Sequence, residues 1–286
     1  VIIDGLKPGI LFEHKDISKV PMVTMTGVSV EPMKYHNGKK FFYYSSSPFE
    51  QQILMDLGKK EGRKIYMKPD ITEIRKDREI NLLIEKGNEV LRELGYTEHS
   101  RKHAAKAAET AGMILKELGY KKRTIELAKI AGYMHDIGNS VNRHDHAHSG
   151  AILAYGILKE RNMDLEQILT VTAAIGHHDE GTGTAIDPVS AALILADKTD
   201  VRRNRVQNPN KAKFDIHDRV NYAALSSNLK IDQEKRLIQM NLELDDSICS
   251  LMDYFEIFLE RMLMCKRAAE CLNCRFRLVA NGSKLC

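Results

Sequence analysis

Eight of the chain's eleven histidines lie between His99 and His178, interleaved with carboxylates. The central feature is His135-Asp136, which closes the apolar run Ala131-Gly132-Tyr133-Met134 and precedes Ile137-Gly138-Asn139. An imidazole nitrogen and a carboxylate oxygen side by side at a helix end can turn toward one divalent ion. Upstream, His99 and His103 are spaced i, i+4 and share a helix face. Downstream come His144-Asp145-His146-Ala147-His148, then His177-His178-Asp179-Glu180, then Asp197-Lys198-Thr199-Asp200 on an otherwise apolar segment. Five separated segments thus offer imidazole and carboxylate. That mixture suits one or two ions that prefer octahedral ligation, whereas a closed tetrahedral zinc site would favour cysteine. Iron or manganese fits the donor set best, with magnesium, cobalt, nickel and zinc also compatible.

The elements that must position these groups are helical. Leu82, Leu83, Val90, Leu91 and Leu94 recur at helix spacing and end at Gly95. An Ala-rich segment spans 100–118 and stops at Gly119, and its alanines permit close approach of a neighbouring helix. Further helices are expected over 124–135, with Thr124 as cap, and over 150–158, 165–175 and 188–200. The fold class is therefore mainly α.

Residues 1–70 differ, with Pro8, Pro21, Pro32 and Pro48 and β-rich runs, and Pro69-Asp70 marks the boundary. A hairpin is expected from Val28–Tyr35 through Asn37-Gly38 to Phe41–Tyr44, then a helix from Pro48 to Gly58. Residues 206–215 read as a polar loop. The helical pattern is expected to resume over 220–225 and 230–242, and an amphipathic helix over 246–272 carries a Met and Phe stripe suited to a packing seam or a homodimer contact. Cys274 to Ala280 reads as a short strand before a turn at Asn281-Gly282. Three regions follow: a β-containing N-terminal segment (1–70), a helical metal-binding domain (71–226), and a long helix with a short strand (227–286).

Composition bounds the partners. With 43 basic and 39 acidic residues in 286, the net charge of +4 is too small to imply a nucleic acid duplex or a membrane surface. No apolar stretch reaches the ~18 residues of a membrane span, and no basic-then-apolar leader opens the chain, although Val1 without methionine leaves a trimmed leader open. The five cysteines all lie from Cys249 onward, an odd count pointing to a reducing, cytoplasmic compartment. Cys265, Cys271, Cys274 and Cys286 lack a second close pair, so buried free thiols are expected over a zinc site.

From about residue 96 to 205 the ordered set His…His-Asp…Asp resembles the HD superfamily of metal-dependent phosphohydrolases. The resemblance implies an all-helical domain with the metal at its centre and His135, Asp136 and Asp197 as ligands. His103 fits the first histidine better than His99, which then becomes an additional ligand or a phosphate contact. His146-Ala147-His148-Ser149-Gly150-Ala151 is similar to a His-x-x-x-Gly-Ala segment of the dinucleoside-polyphosphate-hydrolase and HD-GYP branches, which selects His146 because only it has glycine four residues on. The His177-His178 pair is similar to the segment that supplies a second metal, so two ions are implied.

Two departures matter. Asn139 stands where many members carry lysine, and the Gly-Tyr-Pro triplet is missing, so cyclic dinucleotide cleavage is not inherited. The implied activity is hydrolysis of a small phosphorylated substrate, a nucleotide or a relative of one, by a metal-activated water. Asp136 and Lys198 are the catalytic candidates; Asp145, Asp179 and Glu180 are further proton donors by proximity. His99, Arg202, Arg203 and Arg205 are candidates for substrate phosphate, although an arginine run is also common at a solvated helix end. Two rivals use the same site: a nucleotide-sensing module with little turnover, and a mixed-valent di-iron oxygenase. Oxygenases of the phosphonate-cleaving type carry an additional histidine shortly after the His-Asp pair, where this chain has Gly138 and Asn139.

Overall fold

The computed structural model describes residues 11–12, 65–66, 69–210 and 214–285. The chain divides into two compact units, Val1–Pro69 with Ile157–Leu165, and Asp70–Gly156 with Glu166–Cys286. In the first, strands β1 (Leu11–Phe12) and β2 (Ile65–Tyr66) pair antiparallel. The hairpin expected over 28–44 and the helix expected over 48–58 lie outside the described residues.

The second unit is mainly helical, as the sequence implies. Helix α1 (Ile71–Lys76) is capped by Asp70, and α2 (Arg78–Glu93) by Asp77, whose Oδ1 accepts from the amides of Glu79 and Ile80. Next come α3 (Arg101–Glu117), capped by Ser100, and α4 (Lys122–Met134). The Thr124 cap is corrected: the helix begins two residues earlier, and its N-cap Lys121 makes no side-chain cap bond. A short 3-10 turn (Ile137–Ser140) leads to α5 (His146–Glu160), α6 (Leu165–Gly176) and α7 (Pro188–Lys198). A second 3-10 turn (Arg203–Arg205) precedes α8 (Ile216–Ala223).

Helix α7 is the axis of the unit. Every residue from Val189 to Lys198 is buried, so the helix is enclosed on all sides and packs against α3, α4 and the C-terminal helix α9 (Leu251–Cys271). Its start is fixed by Pro188 and a capping box between Asp187 and Ser190. Helices α3 and α4 pack closely because the facing positions are small. Ala104, Ala107, Ala108 and Ala111 are buried on α3, and a Cβ on Gly132 of α4 would stand 2.8 Å from the Ala108 Cα. That close approach brings His103 and His135 to the same depth.

The helical reading of 220–225 holds as far as Ala223, and that of 230–242 is corrected. After α8 the chain forms β3 (Ala224–Asp232) and β4 (Leu237–Leu244), which pair antiparallel with Leu229 opposite Met240. Ile238, Met240, Leu242 and Leu244 are buried at every second position, a period of two that no helix satisfies. Helix α9 is the crossover that returns the chain to β5 (Arg275–Ala280), parallel to β4, and β6 (Ser283–Lys284) folds back through Asn281 and Gly282, both at positive φ. Tyr254, Phe258, Met262 and Cys265 of α9 face inward, whereas Met252, Leu259 and Leu263 are exposed.

Candidate metal centre

The His-Asp pair sits where α4 unwinds into the 3-10 turn, so its two side chains leave the helix end in one direction. Gly138 then lets α5 approach: a Cβ there would lie 2.0 Å from the His146 carbonyl oxygen and 2.5 Å from the Gly150 nitrogen. His146 is thereby pressed toward Asp136 from the start of α5. His178 arrives just beyond α6, Asp197 from the last turn of α7, and His103 from the first turn of α3.

Their ligand atoms converge in groups. His103 Nε2 stands 3.3 Å from His135 Nε2 and 3.3 Å from Asp197 Oδ1, and Asp136 Oδ2 lies 3.1 Å from His135 Nε2. On the other side, His146 Nε2 is 3.2 Å from His178 Nε2, with Asp136 Oδ1 3.6 and 3.9 Å from the two. Asp136 therefore turns one oxygen to each histidine pair. His178 also reaches a group with His135 and Asp197, linking the two halves. All five of His103, His135, Asp136, His146 and His178 are buried, and Asp197 nearly so.

The other ring nitrogens are committed. Nδ1 of His135 donates to the Gly132 carbonyl (2.9 Å), that of His146 to Arg143 (3.1 Å) and that of His178 to Ile175 (2.6 Å). His103 Nδ1 donates to Asp200 Oδ2 at 2.8 Å. An imidazole whose Nδ1 hydrogen is taken in this way presents a bare lone pair at Nε2. Lone pairs 3.2–3.3 Å apart repel one another, and a cation between them reverses the sign. Donor atoms ~2.1 Å from a shared ion stand ~3.0–3.4 Å apart at octahedral or tetrahedral angles; the closest pairs here are 3.1–3.3 Å apart, and Asp136 Oδ1 stands farther, 3.6 and 3.9 Å, from His146 and His178. Asp136 Oδ2 is buried without a hydrogen-bond partner among the described residues, a second sign that the cluster is built for a positive charge. Burial opposes charge on the His135 imidazole, yet Asp136 and then Asp197 outweigh it and favour a positive charge at its Nε2, the place a metal ion would take instead of a proton. The donor set fits divalent metal.

Further contacts orient the donors. Asn139 donates from Nδ2 to Asp136 Oδ1 at 2.9 Å. Asp200 is clasped by Arg202, with Nε to Oδ1 at 2.6 Å and Nη2 to Oδ2 at 2.9 Å. Lys198 Nζ holds Asp197 Oδ2 at 2.8 Å and Glu180 Oε1 at 3.3 Å, leaving Asp197 Oδ1 for the histidines. Arg261 of α9 donates to the same Glu180 oxygen at 2.7 Å. Burial raises the Glu180 carboxyl, but Lys198 and Arg261 outweigh it and bring the pKa down to about 2.

A cavity of about 400 Å³ opens onto the cluster. His99, Asp136, His146, His178, Asp197 and Lys198 line its floor. His99 belongs to neither half of the cluster. Its Nδ1 donates to Thr97 (2.7 Å), and burial holds its imidazole well below the usual histidine range. His177 is also outside, because neighbouring residues at a helix end diverge by ~100° and His178 takes the inward direction. Arg205 lines the cavity but donates to the carbonyls of Glu98 and Asp200. Arg202 does not line it; its guanidinium is engaged on Asp200. His144 and His148 are exposed beside Asp145. Sequence reading missed Arg143, Tyr96, Asp218, Asn221 and Arg261, all of which line the cavity. They come from connections and from distant helices, and only packing unites them.

Residues 98–202 match the HD domain family model. Over this stretch the chain carries an HD domain. It is 29% identical over 170 residues to an uncharacterised protein of Methanocaldococcus jannaschii, covering 51% of this chain and 64% of that one. It is 30% identical over 158 residues to ribonuclease Y of Petrotoga mobilis, covering 55% of this chain and 26% of that one. The chain thus spans less than two thirds of either relative. A solved structure of a predicted HD superfamily hydrolase from an uncultured Thermotogales bacterium is similar at 26% identity, with a TM-score of 0.35, over 44% of this chain and 68% of the other. Among the described residues of this HD-domain chain, no helix is long and apolar enough to cross a membrane.

Proposed function

We propose that this HD-domain protein is a metal-dependent hydrolase of a phosphoester, acting on a nucleotide or a nucleotide-derived molecule, with two divalent ions of the iron or manganese class. The observation that carries the reading is Asp136, whose two oxygens are shared between two histidine pairs on opposite sides. His103, His135 and Asp197 with Asp136 Oδ2 would hold one ion; His146 and His178 with Asp136 Oδ1 would hold the other. Ions held there lower the pKa of a bound water from ~15.7 toward ~7 and offset charge on a phosphoryl group.

The chain's own residues supply the rest. The Nδ1 bonds fix each ring so that Nε2 points inward, and Asp200, Asn139 and Lys198 hold His103, Asp136 and Asp197 in turn. Asp179, partly exposed and with its Oδ1 3.9 Å from His146 Nε2, is a carboxyl beside the cluster that would pass a proton to a leaving oxygen. The likeness to a ribonuclease supports a nucleotide-type phosphoester, and the cavity is of a size for one nucleotide. The test is metal content together with turnover on a panel of phosphoesters, for the wild type and for His135→Ala. Loss of both ions or of one, with turnover abolished, is expected; turnover unchanged in the variant removes the reading.

A further inference from the structure

The cations around the cavity are not equivalent. Lys198 is matched by Asp197 and Glu180, Arg261 by Glu180, and Arg205 by Asp200 and two carbonyls. Arg143 is different. It lines the cavity, and among the described residues it pairs with no carboxylate. Its Nη1 lies 3.2 Å from His146 Nε2 and 3.4 Å from Nδ1, so the guanidinium borders the ring at the edge of the cluster. Behind it the Tyr96 ring stands 5.5 Å from the Arg143 Cζ, a cation–π support that fixes direction without neutralising charge. An uncompensated guanidinium against a histidine aimed into the cluster calls for an anion, and it stands within reach of whatever anion the His146 side receives.

We propose that Arg143 binds the third terminal oxygen of a phosphoryl group, and that the substrate is a phosphomonoester. This rests on the two-ion reading above. With one phosphoryl oxygen directed to each side of Asp136, a monoester has one terminal oxygen left for Arg143, whereas a diester has none. Arginine suits this role because its planar fork donates two parallel hydrogen bonds to a phosphate edge. Hydrolysis forms one P–O bond to water and breaks the P–O bond to the alcohol. The water's proton ends on the leaving oxygen, and no further reactant is required.

The experiment compares manganese-loaded wild type with Arg143→Gln and Arg143→Lys. Inorganic phosphate binding is read by calorimetry, and kcat/KM is measured on p-nitrophenyl phosphate and bis(p-nitrophenyl) phosphate. Metal content is measured beside them. Arg143→Gln is expected to weaken phosphate binding and monoester turnover ~10–100-fold, to change diester turnover less than ~3-fold, and to keep its metal. Arg143→Lys should fall between. Phosphate affinity within ~2-fold of wild type, equal losses on both esters, or loss of metal in Arg143→Gln would each overturn the assignment. A wild type that binds phosphate and cleaves the diester as well as the monoester sinks only this inference. One that binds no phosphate and cleaves neither ester sinks the proposed function with it.

Discussion

Asp200 Oδ2 accepts a hydrogen bond from His103 Nδ1 at 2.8 Å, with both side chains fully buried. The carboxylate is itself held on its far side by Arg202 and lies 3.9 Å from Arg205. This chain of contacts fixes the ring of His103 so that its Nε2 faces His135. Asp200→Asn keeps the size but turns an acceptor into an amide that can present either atom. Metal affinity is expected to fall ~10–100-fold, read by competition with a chelator, while His103 remains present. Affinity equal to wild type would mean that Asp200 serves the fold and not the cluster.

The division of Asp136 between two histidine pairs predicts unequal losses. His178→Ala removes a donor from the half built with His146, so about one ion per chain should remain by elemental analysis. Asp136→Ala removes a donor from both halves and should leave close to none. Equal ion counts in the two variants would contradict the bridging arrangement.

Much of this site was legible because its donors carry local signals. His135-Asp136 stands at the end of an apolar helix, and Asp197 is a carboxylate in a helix otherwise made of Val, Ala, Leu and Ile. His146 was separable from His144 and His148 by the glycine four residues on, and that glycine does lie against Gly138. What was not legible depends on direction or on tertiary packing. Nothing in the pair His177-His178 says which ring turns inward. Asp200 and Arg202 look like a polar helix end, yet they face each other and support His103. The strand at 237–244 was hidden because Leu237, Met240 and Leu244 by themselves stand at helical spacing, and only the burial of Ile238 and Leu242 beside them reveals the period of two. Its partner β5 lies beyond a long helix in the sequence.

Two glycines set the distances within the cluster, and each should resist a single methyl group. Gly138→Ala places a Cβ on the His146 carbonyl and must move the start of α5; Gly132→Ala pushes α4 off the Ala108 backbone of α3. Each should cost about 3 kcal/mol or more in urea unfolding, at the upper end of overpacking penalties. The two should differ in their metal readout, with Gly138→Ala weakening the His146 half and Gly132→Ala the half built on His103 and His135. A loss below ~1 kcal/mol for either would show that the helices separate without strain.

The cysteines provide a check on the C-terminal helix. The four in described residues are free; Cys249, Cys265 and Cys274 are buried, Cys271 is half-buried, and none joins a group of converging ligand atoms. Burial pushes the Cys265 thiol up from 9.0 to about 12, so between those values the folded chain keeps a proton that the unfolded chain has lost. The fold then binds more protons than the unfolded state, and stability must fall as pH rises through that window. Native protein at pH 8 should leave Cys265 unmodified by a thiol reagent, Cys271 reacting first, and denaturant should expose it at once. Rapid labelling of Cys265 in the folded state, located by mass spectrometry, would mean that α9 does not seal the core beside α7, where Arg261 and Phe258 form one wall of the cavity.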